Sequence, residues 1–563
     1  ALTGPAIGRP KSATFRTSDV VGLDTLVKVA QFVHSACPDD EARALFEIPE
    51  WLTHMIKNNW IGDKSGQGFF KKEKRDGKSV YPAINIKTME YELPSKTRFF
   101  TIHQLKQTDD LKQKIRIAVN GNDKAGDFYR HFFYGLLQYA SNRIPEIADD
   151  LYKVDEAMCA GFGWKLGPFA SWDAIGVEDA INKMQLQGNS PAEWVLDMLA
   201  AGNKSFYVVE NGRKKYYDLL TKSYQNIPGT DAFIILENFS NNIVWKNSGA
   251  NLIDIGDGVL NLEFKTKMNT IGGEVLQAIP KAIEIAEKNF TGLVIGNQGE
   301  NFSAGANLTM VLMLAIEQEF DELNIACSMF QKASMRIRYS SIPVVVAPHH
   351  LTLGGGCEFC LHADHVQAAS ETYVGLVEFG VGIIPAGGGT KEMILRASDS
   401  YQEGVIEFPE LQKRFMNIAT AKVSTSAIEA FDMKIFRTGI DDITMNEDRL
   451  LTDAKQKVLE LVREGYTMPS PRTDIYVLGR AGLSAFLAGI VAMQYGNYAS
   501  EHDRLMAEKL ALVMCGGDLT SPTYVSEQYL LDLEREAFLS LVTTKKSMER
   551  MQSILNTGKP LRN

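Results

Sequence analysis

Two glycine triplets and two glutamates set residues 353–390 apart from the rest of the chain. The triplets, residues 354–356 and 387–389, bracket Glu358 and Glu378. Glycine lets backbone N–H groups approach a bound group because it has no Cβ, and the apolar segment after the first triplet predicts a helix whose first turn presents the Gly355 N–H. Such a donor suits a developing oxyanion, and two nearby carboxylates can divide general acid and base work. The stretch therefore predicts a catalytic site.

Two other readings of the same stretch have weaker support. Cys357 and Cys360 have a redox or metal spacing, but a single pair without a second Cys/His pair is a weak signal. Glu358, His362 and His365 fall at helical spacing, where locally bonded or solvated histidines are commoner than metal ligands. The sequence therefore predicts no metal site.

The stretch resembles the active-site region of the enoyl-CoA hydratase/isomerase (crotonase) family. The resemblance rests on a GGGCE helix start and on a second Glu ahead of an I-P-x-x-G-G-T turn. Residues 302–308, FSAGANL, are similar to the family's A-G-A-D-L loop, which places Ala306 opposite Gly355 as the second oxyanion donor. Residues 258–262 and 267–269 resemble the first strand and the loop that cradles CoA.

The resemblance also implies roles for individual residues. Glu358 would activate and orient a water molecule, and Glu378 would supply a proton to the α-carbon. Four further residues are candidate substrate contacts, the lysines as partners of CoA phosphates: Ala304, Leu308, Lys265 and Lys267. The chain departs from the family pattern at Asn307, Val377, Ala386 and the pair His349-His350. These departures bear on substrate preference and rate more than on reaction type.

Outside this region, residues 8–24 and 163–177 look like two copies of one repeat. Both resemble the C-terminal helical domain of 3-hydroxyacyl-CoA dehydrogenases, through G-P-F and D-x-x-G-L-D elements. In the second copy an apolar stripe at i, i+4 spacing predicts a helix (Phe128, Phe132, Leu136, Tyr139). Asn142 follows it and resembles a substrate-orienting Asn, but we interpret the second copy as mainly structural.

The predicted organisation has five parts. An incomplete first repeat covers residues 1–72, a polar linker 73–120, and a second repeat 121–225. A crotonase domain covers 240–400, after a short strand at 232–236, and a helical region covers 401–563. Alternating β-rich and helical runs predict an α/β domain, with residues 308–339 as a long helical stretch. The family resemblance makes this domain a ββα spiral accompanied by helical domains.

This order resembles fused bacterial fatty-acid β-oxidation proteins that join a 3-hydroxyacyl-CoA dehydrogenase to an enoyl-CoA hydratase. The chain offers no strand, G-x-G-x-x-G turn and helix to bind a dinucleotide. We interpret it as lacking the family's N-terminal NAD-binding domain, with no cofactor in this chain and NAD only in a longer parent. Dehydrogenase activity is therefore expected to be absent.

Composition limits the partners and the location. The net charge of −10 leaves no basic surface typical of nucleic-acid or anionic-membrane binding. Six scattered cysteines favour a reduced, cytoplasmic setting over a disulfide framework. The most apolar run, residues 481–493, is shorter than the roughly 20 residues that a bilayer requires. We predict a cytoplasmic protein without a transmembrane segment.

The predicted function is hydration of a trans-2-enoyl-CoA to a 3-hydroxyacyl-CoA. An enoyl-CoA isomerase would use the same oxyanion donors but needs one acid/base group, so the presence of both Glu358 and Glu378 favours hydration. The alternative from another class is a module whose main role is to assemble with a thiolase. The two functions are compatible, because an active hydratase could also bind a thiolase.

Overall fold

The computed structural model describes residues 2–75, 78–93, 98–108, 110–186, 188–210 and 212–563. The chain divides into two compact units, Ala1–Gly229 and Thr230–Asn563. Among the described residues, no helix is both long and apolar enough to cross a membrane.

The first unit is mainly helical, with short antiparallel strands. Its helices are α1 (Ala13–Val21), α2 (Leu23–Ala36), α3 (Glu50–Lys57), α4 (Phe100–Gln107), α5 (Leu111–Asn120), α6 (Lys124–Asn142), α7 (Leu151–Phe162), α8 (Pro168–Ile175), α9 (Val177–Leu186) and α10 (Glu193–Ala200). Its strands are β1 (Glu73–Arg75), β2 (Lys78–Val80), β3 (Ala83–Asn85), β4 (Glu90–Glu92), β5 (Tyr207–Glu210), β6 (Arg213–Asp218) and β7 (Ser223–Asn226).

One helix–glycine–helix junction occurs twice in this unit. Gly22 separates α1 from α2 with φ 103°, and Gly176 separates α8 from α9 with φ 101°. L-residues with a side chain rarely adopt this backbone conformation, so glycine is required for the sharp change of direction. The junctions lie at matching positions of the two predicted copies.

An aspartate just before each junction, Asp19 buried and Asp173 partly buried, holds a distant segment. Asp19 accepts hydrogen bonds from the N–H groups of Phe69 and Phe70, at 2.7 and 2.9 Å. Asp173 accepts the equivalent pair from residues 206–207, at 2.8 and 2.9 Å. Burial raises the pKa of Asp173 to about 7 against the opposing effect of these donors. Each copy is thus closed by the same clamp.

Residues 73–120, interpreted from sequence as a linker, are not only a solvated connection. They include α4 and α5, and Leu105, Ile115 and Val119 are buried in the core of the first unit. The lysine-rich composition of α5 hides an apolar i, i+4 pair, Ile115 and Val119, on one helix face. The helical packing of the second copy therefore begins before residue 121.

The helix predicted from the stripe at residues 128–139 is present as α6, but the predicted apolar stripe is on the wrong face. Phe128 is 37% exposed, and Phe132, Leu136 and Tyr139 are only partly buried. The core-facing residues are Tyr129, Phe133, Leu137 and Ala140. Two neighbouring faces of the helix both carry aromatic residues at i, i+4 spacing, and packing against α5 and α8 selects between them.

The second unit combines a large sheet with helices. Its strands are β8 (Ile243–Lys246), β9 (Ala250–Asp254), β10 (Val259–Phe264), β11 (Gly292–Gly296), β12 (Val344–Ala347), β13 (His350–Leu353), β14 (His365–Ala369), β15 (Thr372–Gly375), β16 (Asp442–Thr444), β17 (Ile475–Val477) and β18 (Thr523–Val525). Its helices are α11 (Gly273–Asn289), α12 (Leu308–Ile316), α13 (Phe320–Arg338), α14 (Gly355–His362), α15 (Gly389–Ser400), α16 (Phe408–Ala419), α17 (Ala427–Asp432), α18 (Leu450–Arg463), α19 (Gly479–Tyr495), α20 (Glu501–Met514), α21 (Glu527–Val542) and α22 (Lys545–Thr557).

The large sheet has the order β16-β14-β12-β11-β10-β9-β8, parallel from β16 to β10 and antiparallel across β10-β9-β8. A second, parallel pair, β13-β15, lies outside it. The chain twice passes from a strand of the large sheet to a strand of the pair and then to a helix, as β12-β13-α14 and β14-β15-α15. This ββα repetition confirms the predicted ββα spiral.

Three local predictions for this unit differ from the structure. Residues 232–236 form no strand, because the Ile234 and Leu236 N–H groups donate to side-chain oxygens of Thr452 and Gln298 instead of to a neighbouring strand. The helical stretch 308–339 is split into α12 and α13, with Gln318 at φ 60° between them. The sheet also continues past residue 400, since β16 pairs with β14 and α18 packs against the sheet.

Candidate active site

Glu358 lies in the first turn of α14, and its carboxylate points at the second glycine triplet. One carboxylate oxygen accepts hydrogen bonds from the N–H groups of Gly387 and Gly389, both at 2.8 Å. Those N–H groups lie at and just before the start of α15, where the helix dipole favours a negative charge. The two triplets predicted from sequence to bracket the site are thus joined through Glu358.

Glu378 approaches the first triplet. It begins a 3₁₀ turn (Glu378–Val381) after β15. Gly354 has φ 52°, its N–H donates to Gly375 at 2.9 Å, and a Cβ on it would lie 2.7 Å from Glu378 Oε1. Glycine at this position is therefore needed both for the backbone conformation and for the close approach of the carboxyl group.

The first helical residue after Gly354 is Gly355, whose N–H has no acceptor in the preceding helical turn. A Cβ on Gly355 would overlap the ring of Phe330, which packs from α13. The N–H of Gly355 thus lies at a helix start, where backbone donors favour negative charge, and its oxyanion role stays a prediction.

The loop that carries Ala306 lies beside this helix start. Ile271 N–H donates to Gly305 and Asn307 N–H donates to Ile271, each at 2.9 Å, in a parallel bridge that turns the Ala306 N–H away from Ile271. A Cβ on Gly305 would lie 3.0 Å from the carbonyl oxygen of Leu353. The structure therefore brings the Ala306 loop against the residues that precede Gly355.

The surroundings of the two carboxyl groups raise both of their pKa values. Burial raises the pKa of Glu358 to about 7, against the N–H groups of Gly389 and Gly387 and the charge of Lys391. Burial and, second, repulsion by Glu358 raise the pKa of Glu378 well above its usual range. The two carboxyl groups therefore have raised pKa values for partly different reasons, and such a difference suits a division of acid and base roles.

The candidate substrate contacts are less strongly defined. Ala304 and Leu308 are partly buried on either side of Ala306, in the loop and at the start of α12. Lys265 is exposed and lies 3.4 Å from Glu263, and Lys267 is exposed in a 3₁₀ turn whose next residue has φ 54°. All four stay predictions as substrate contacts.

The histidines of the stretch hydrogen-bond to protein groups, and its cysteines are buried. Cys357 and Cys360 are buried free thiols. The Nδ1–H of His362 donates to the carbonyl of Glu358 at 2.7 Å, whereas His365 contacts Gln367 at 3.3 Å. Within the described part of the chain, no three His, Cys, Asp or Glu side chains are grouped to hold a metal ion.

The sequence did not predict the buried charged residues that lie next to the second glycine triplet. Glu534 of α21 is fully buried and accepts hydrogen bonds from the N–H groups of Gly388 and Lys391, at 2.7 and 2.9 Å. The Lys391 ammonium is also fully buried, 2.5 Å from Glu392 and 3.0 Å from Glu527. Glu534 lies 176 residues after Glu358, and no local motif marks it; an acidic residue within an otherwise buried helical face is the one available signal.

Comparisons with known proteins agree with this geometry. The enoyl-CoA hydratase/isomerase family model matches residues 254–414, and the 3-hydroxyacyl-CoA dehydrogenase C-terminal domain model matches residues 4–72. The fold and the site thus define an enoyl-CoA hydratase/isomerase-type domain that follows a dehydrogenase-type helical domain.

Relatives extend the similarity over the whole chain. A Bacillus subtilis protein named as a probable 3-hydroxyacyl-CoA dehydrogenase is 44% identical, over 100% of this chain and 70% of that protein. A Rickettsia prowazekii protein with the provisional name of fatty acid oxidation complex trifunctional enzyme is 26% identical, over 98% of this chain and 68% of its own length. A solved enoyl-CoA hydratase from Bacillus halodurans aligns over 54% of this chain and 100% of its own, with 16% identity and a TM-score of 0.38.

The chain belongs to the family of fused fatty-acid β-oxidation proteins that combine 3-hydroxyacyl-CoA dehydrogenase and enoyl-CoA hydratase/isomerase domains.

Proposed function

We propose that the second unit hydrates trans-2-enoyl-CoA thioesters to 3-hydroxyacyl-CoA thioesters. The observation that carries the proposal is the placement of two carboxyl groups, the buried Glu358 and the partly buried Glu378, beside Gly355, whose N–H has no acceptor within α14. An isomerase needs one acid/base group to move a double bond, whereas addition of water needs a base for the water and an acid for carbon.

The oxyanion donors would act on the thioester carbonyl. In this proposal its oxygen accepts hydrogen bonds from the N–H groups of Ala306 and Gly355. Their bonds strengthen as negative charge moves from the alkene onto that oxygen, so they stabilise the enolate-like transition state more than the substrate. Because both donors belong to the backbone of packed segments, little reorganisation accompanies the reaction.

The two carboxyl groups would complete the addition. Glu358, in its ionised form, takes a proton from water while the water oxygen bonds to the β-carbon. Glu378, in its protonated form, gives its proton to the α-carbon, so one H and one OH are added across the double bond. A proton passing from Glu358 to Glu378, directly or through solvent, restores the starting state.

The test is turnover of enoyl-CoA esters of graded chain length by the purified chain, followed as loss of the conjugated thioester absorbance. Hydration is expected, and 3-enoyl-CoA offered alone should give no more than slow double-bond migration. Rapid conversion of 3-enoyl-CoA to 2-enoyl-CoA without hydration would favour the isomerase. Complete inactivity with both substrates would contradict the proposed function.

The wider setting is part of the proposal. Family membership supports acyl-CoA thioesters as substrates, a cytoplasmic location, and a thiolase that consumes the later β-oxidation product. Co-elution of the chain with a thiolase in size-exclusion chromatography would support that partner, and separate elution at micromolar concentrations would argue against it.

A further inference from the structure

Glu534 is a fully buried carboxylate for which the proposed mechanism has no use. It extends from α21 to the turn whose N–H groups also donate hydrogen bonds to Glu358. Along this turn the N–H groups alternate between the two carboxylates. Gly387 and Gly389 donate to Glu358, whereas Gly388 and Lys391 donate to Glu534. Glu534 therefore binds the same short stretch of backbone as Glu358, from another helix.

A second contact fixes α21 to the same turn. Glu527, two helical turns before Glu534, accepts a hydrogen bond from Lys391 Nζ at 3.0 Å. The same ammonium lies 3.0 Å from His362 Nε2, and His362 Nδ1–H donates to the backbone carbonyl of Glu358. The backbone of Glu358 and the donors to its carboxylate are thus both linked to α21.

Such a network costs free energy that a simple packing role would not require. Burying a carboxylate is unfavourable, and apolar side chains of similar volume often stabilise an interior at least as well. The cost is most easily understood if the hydrogen bonds at Gly388 and Lys391 are needed for the position of the turn.

We propose, resting on the hydration proposed above, that Glu534 is a positioning residue of the active site, which sets the place of the 387–389 turn and hence the position and ionisation of Glu358. Glu534 itself does not contact substrate. Its effect passes through the N–H groups of Gly388 and Lys391, which fix the turn whose Gly387 and Gly389 N–H groups donate to Glu358.

Several charged or titratable groups interact electrostatically with Glu534. Burial raises the pKa of Glu534 to about 8, and repulsion by Glu358 adds to it. The groups that interact with it from neighbouring elements are Glu358 on α14, Glu378 on the 3₁₀ turn, Lys391 on α15 and Cys327 on α13. Because the N–H groups of Gly389 and Gly387 lower the pKa of Glu358, a displaced turn should let that pKa rise.

The test compares Glu534→Gln and Glu534→Asp with Glu536→Gln, a control on an exposed position of the same helix. Glutamine offers one acceptor where the turn presents two donors, so the turn should shift. A misplacement of about 1 Å can cost on the order of 10²-fold in rate. We expect Glu534→Gln to lower kcat by about that factor with KM little changed. The acid limb of its pH profile should move to higher pH, because displaced Gly387 and Gly389 N–H groups would stabilise ionised Glu358 less. Glu534→Asp should recover part of kcat, and Glu536→Gln should match the wild type.

Wild-type kcat and an unmoved acid limb in Glu534→Gln, in a chain that hydrates normally, would overturn this inference and leave the proposed function intact. If the wild-type chain does not hydrate, the proposed function fails, and infrared titration of the protonated-carboxyl band still decides the coupling. The inference would be refuted if the band of Glu534→Gln lost the intensity of one carboxyl group while the remaining carboxyl groups titrated as in the wild type. Should Glu534→Gln not fold, Glu534→Asp takes the same measurements, with a smaller expected shift.

Discussion

Replacement of Glu378 by glutamine separates the catalytic proton from the shape of the site. Glutamine keeps the size of the side chain and removes the transferable proton. One oxygen of Glu378 approaches Gly354, and the other is buried and has no hydrogen-bond partner among the described residues. The substitution therefore breaks no hydrogen bond of that second oxygen, and its main consequence should fall on chemistry.

The size of the effect follows from the role of the proton. Loss of a positioned general acid or base lowers a rate by about 10²- to 10⁴-fold, which corresponds to about 2.7 to 5.4 kcal/mol in the barrier. The oxyanion donors and the Glu358 base are left in place, so KM should change much less than kcat. A residual rate above the uncatalysed reaction is expected from Ala306 and Gly355.

Glu378→Gln should lower the rate of hydration, but at high pH it should raise the free energy of unfolding relative to the wild type. Burial and repulsion by Glu358 raise the pKa of Glu378 in the folded chain well above its usual range. The wild-type protein therefore loses stability as pH rises from the usual Glu pKa toward the folded value, because the folded state resists losing this proton. Glutamine does not titrate, so the variant should gain stability relative to wild type as pH increases.

The assay measures kcat and KM for enoyl-CoA hydration, together with urea denaturation at several pH values. Glu403→Gln, an exposed carboxylate of the same unit, is the matched control and should behave as wild type in both. A Glu378→Gln variant that hydrates at the wild-type rate would remove Glu378 as the acid. A variant that loses activity only because it is unfolded at neutral pH would contradict the reasoning about its environment.

Four further outcomes are expected. The kcat profile should fall below about pH 7 as Glu358 becomes protonated, and Glu358→Gln should be about 10²- to 10⁴-fold slower at every pH. Gly355→Ala should lose most activity because its Cβ overlaps the ring of Phe330, whereas Gly273→Ala, at another helix start with open space around it, should keep it. Asp173→Asn should lower the free energy of unfolding of the first unit by about 1 to 3 kcal/mol, since an amide cannot accept both backbone N–H groups as a carboxylate does; unchanged urea midpoints would count against the clamp. Addition of 3-hydroxyacyl-CoA and NAD to this purified chain should give no NADH, and calorimetry should detect no NAD binding; NADH formation would reveal a nucleotide site that the sequence argument overlooks.

The local sequence determined the parts of the site that are made of backbone. Glycine at positions 354 and 355 meets requirements that any folded form of this motif imposes, a positive φ at the first and room beside Phe330 at the second. The glycines, the spacing to Glu358 and the following helix are all encoded within a few residues. The two glycine-separated helix pairs could be anticipated for the same reason, since Gly22 and Gly176 mark their junctions, whereas the ββα spiral was inferred from the family resemblance.

Tertiary structure decided which faces pack and which distant residues meet. Two neighbouring faces of α6 carry aromatic residues at the same spacing, so only the packing of α5 and α8 against it selects the one that begins at Tyr129. A lysine-rich composition likewise concealed the buried face of α5. Periodicity reports that a helix has an apolar face, but neighbouring elements determine where that face points.

The environment of Glu358 depended most on the tertiary fold. Its raised pKa arises from burial, and Glu534, which accepts hydrogen bonds from the turn that donates to Glu358, comes from α21 near the other end of the second unit. Neither desolvation nor a hydrogen bond between residues so far apart in the chain leaves a local pattern. The sequence alone thus determined which groups could do the chemistry, whereas the packing of α14, α15 and α21 decided their protonation, because electrostatic energies depend on distance and burial in three dimensions.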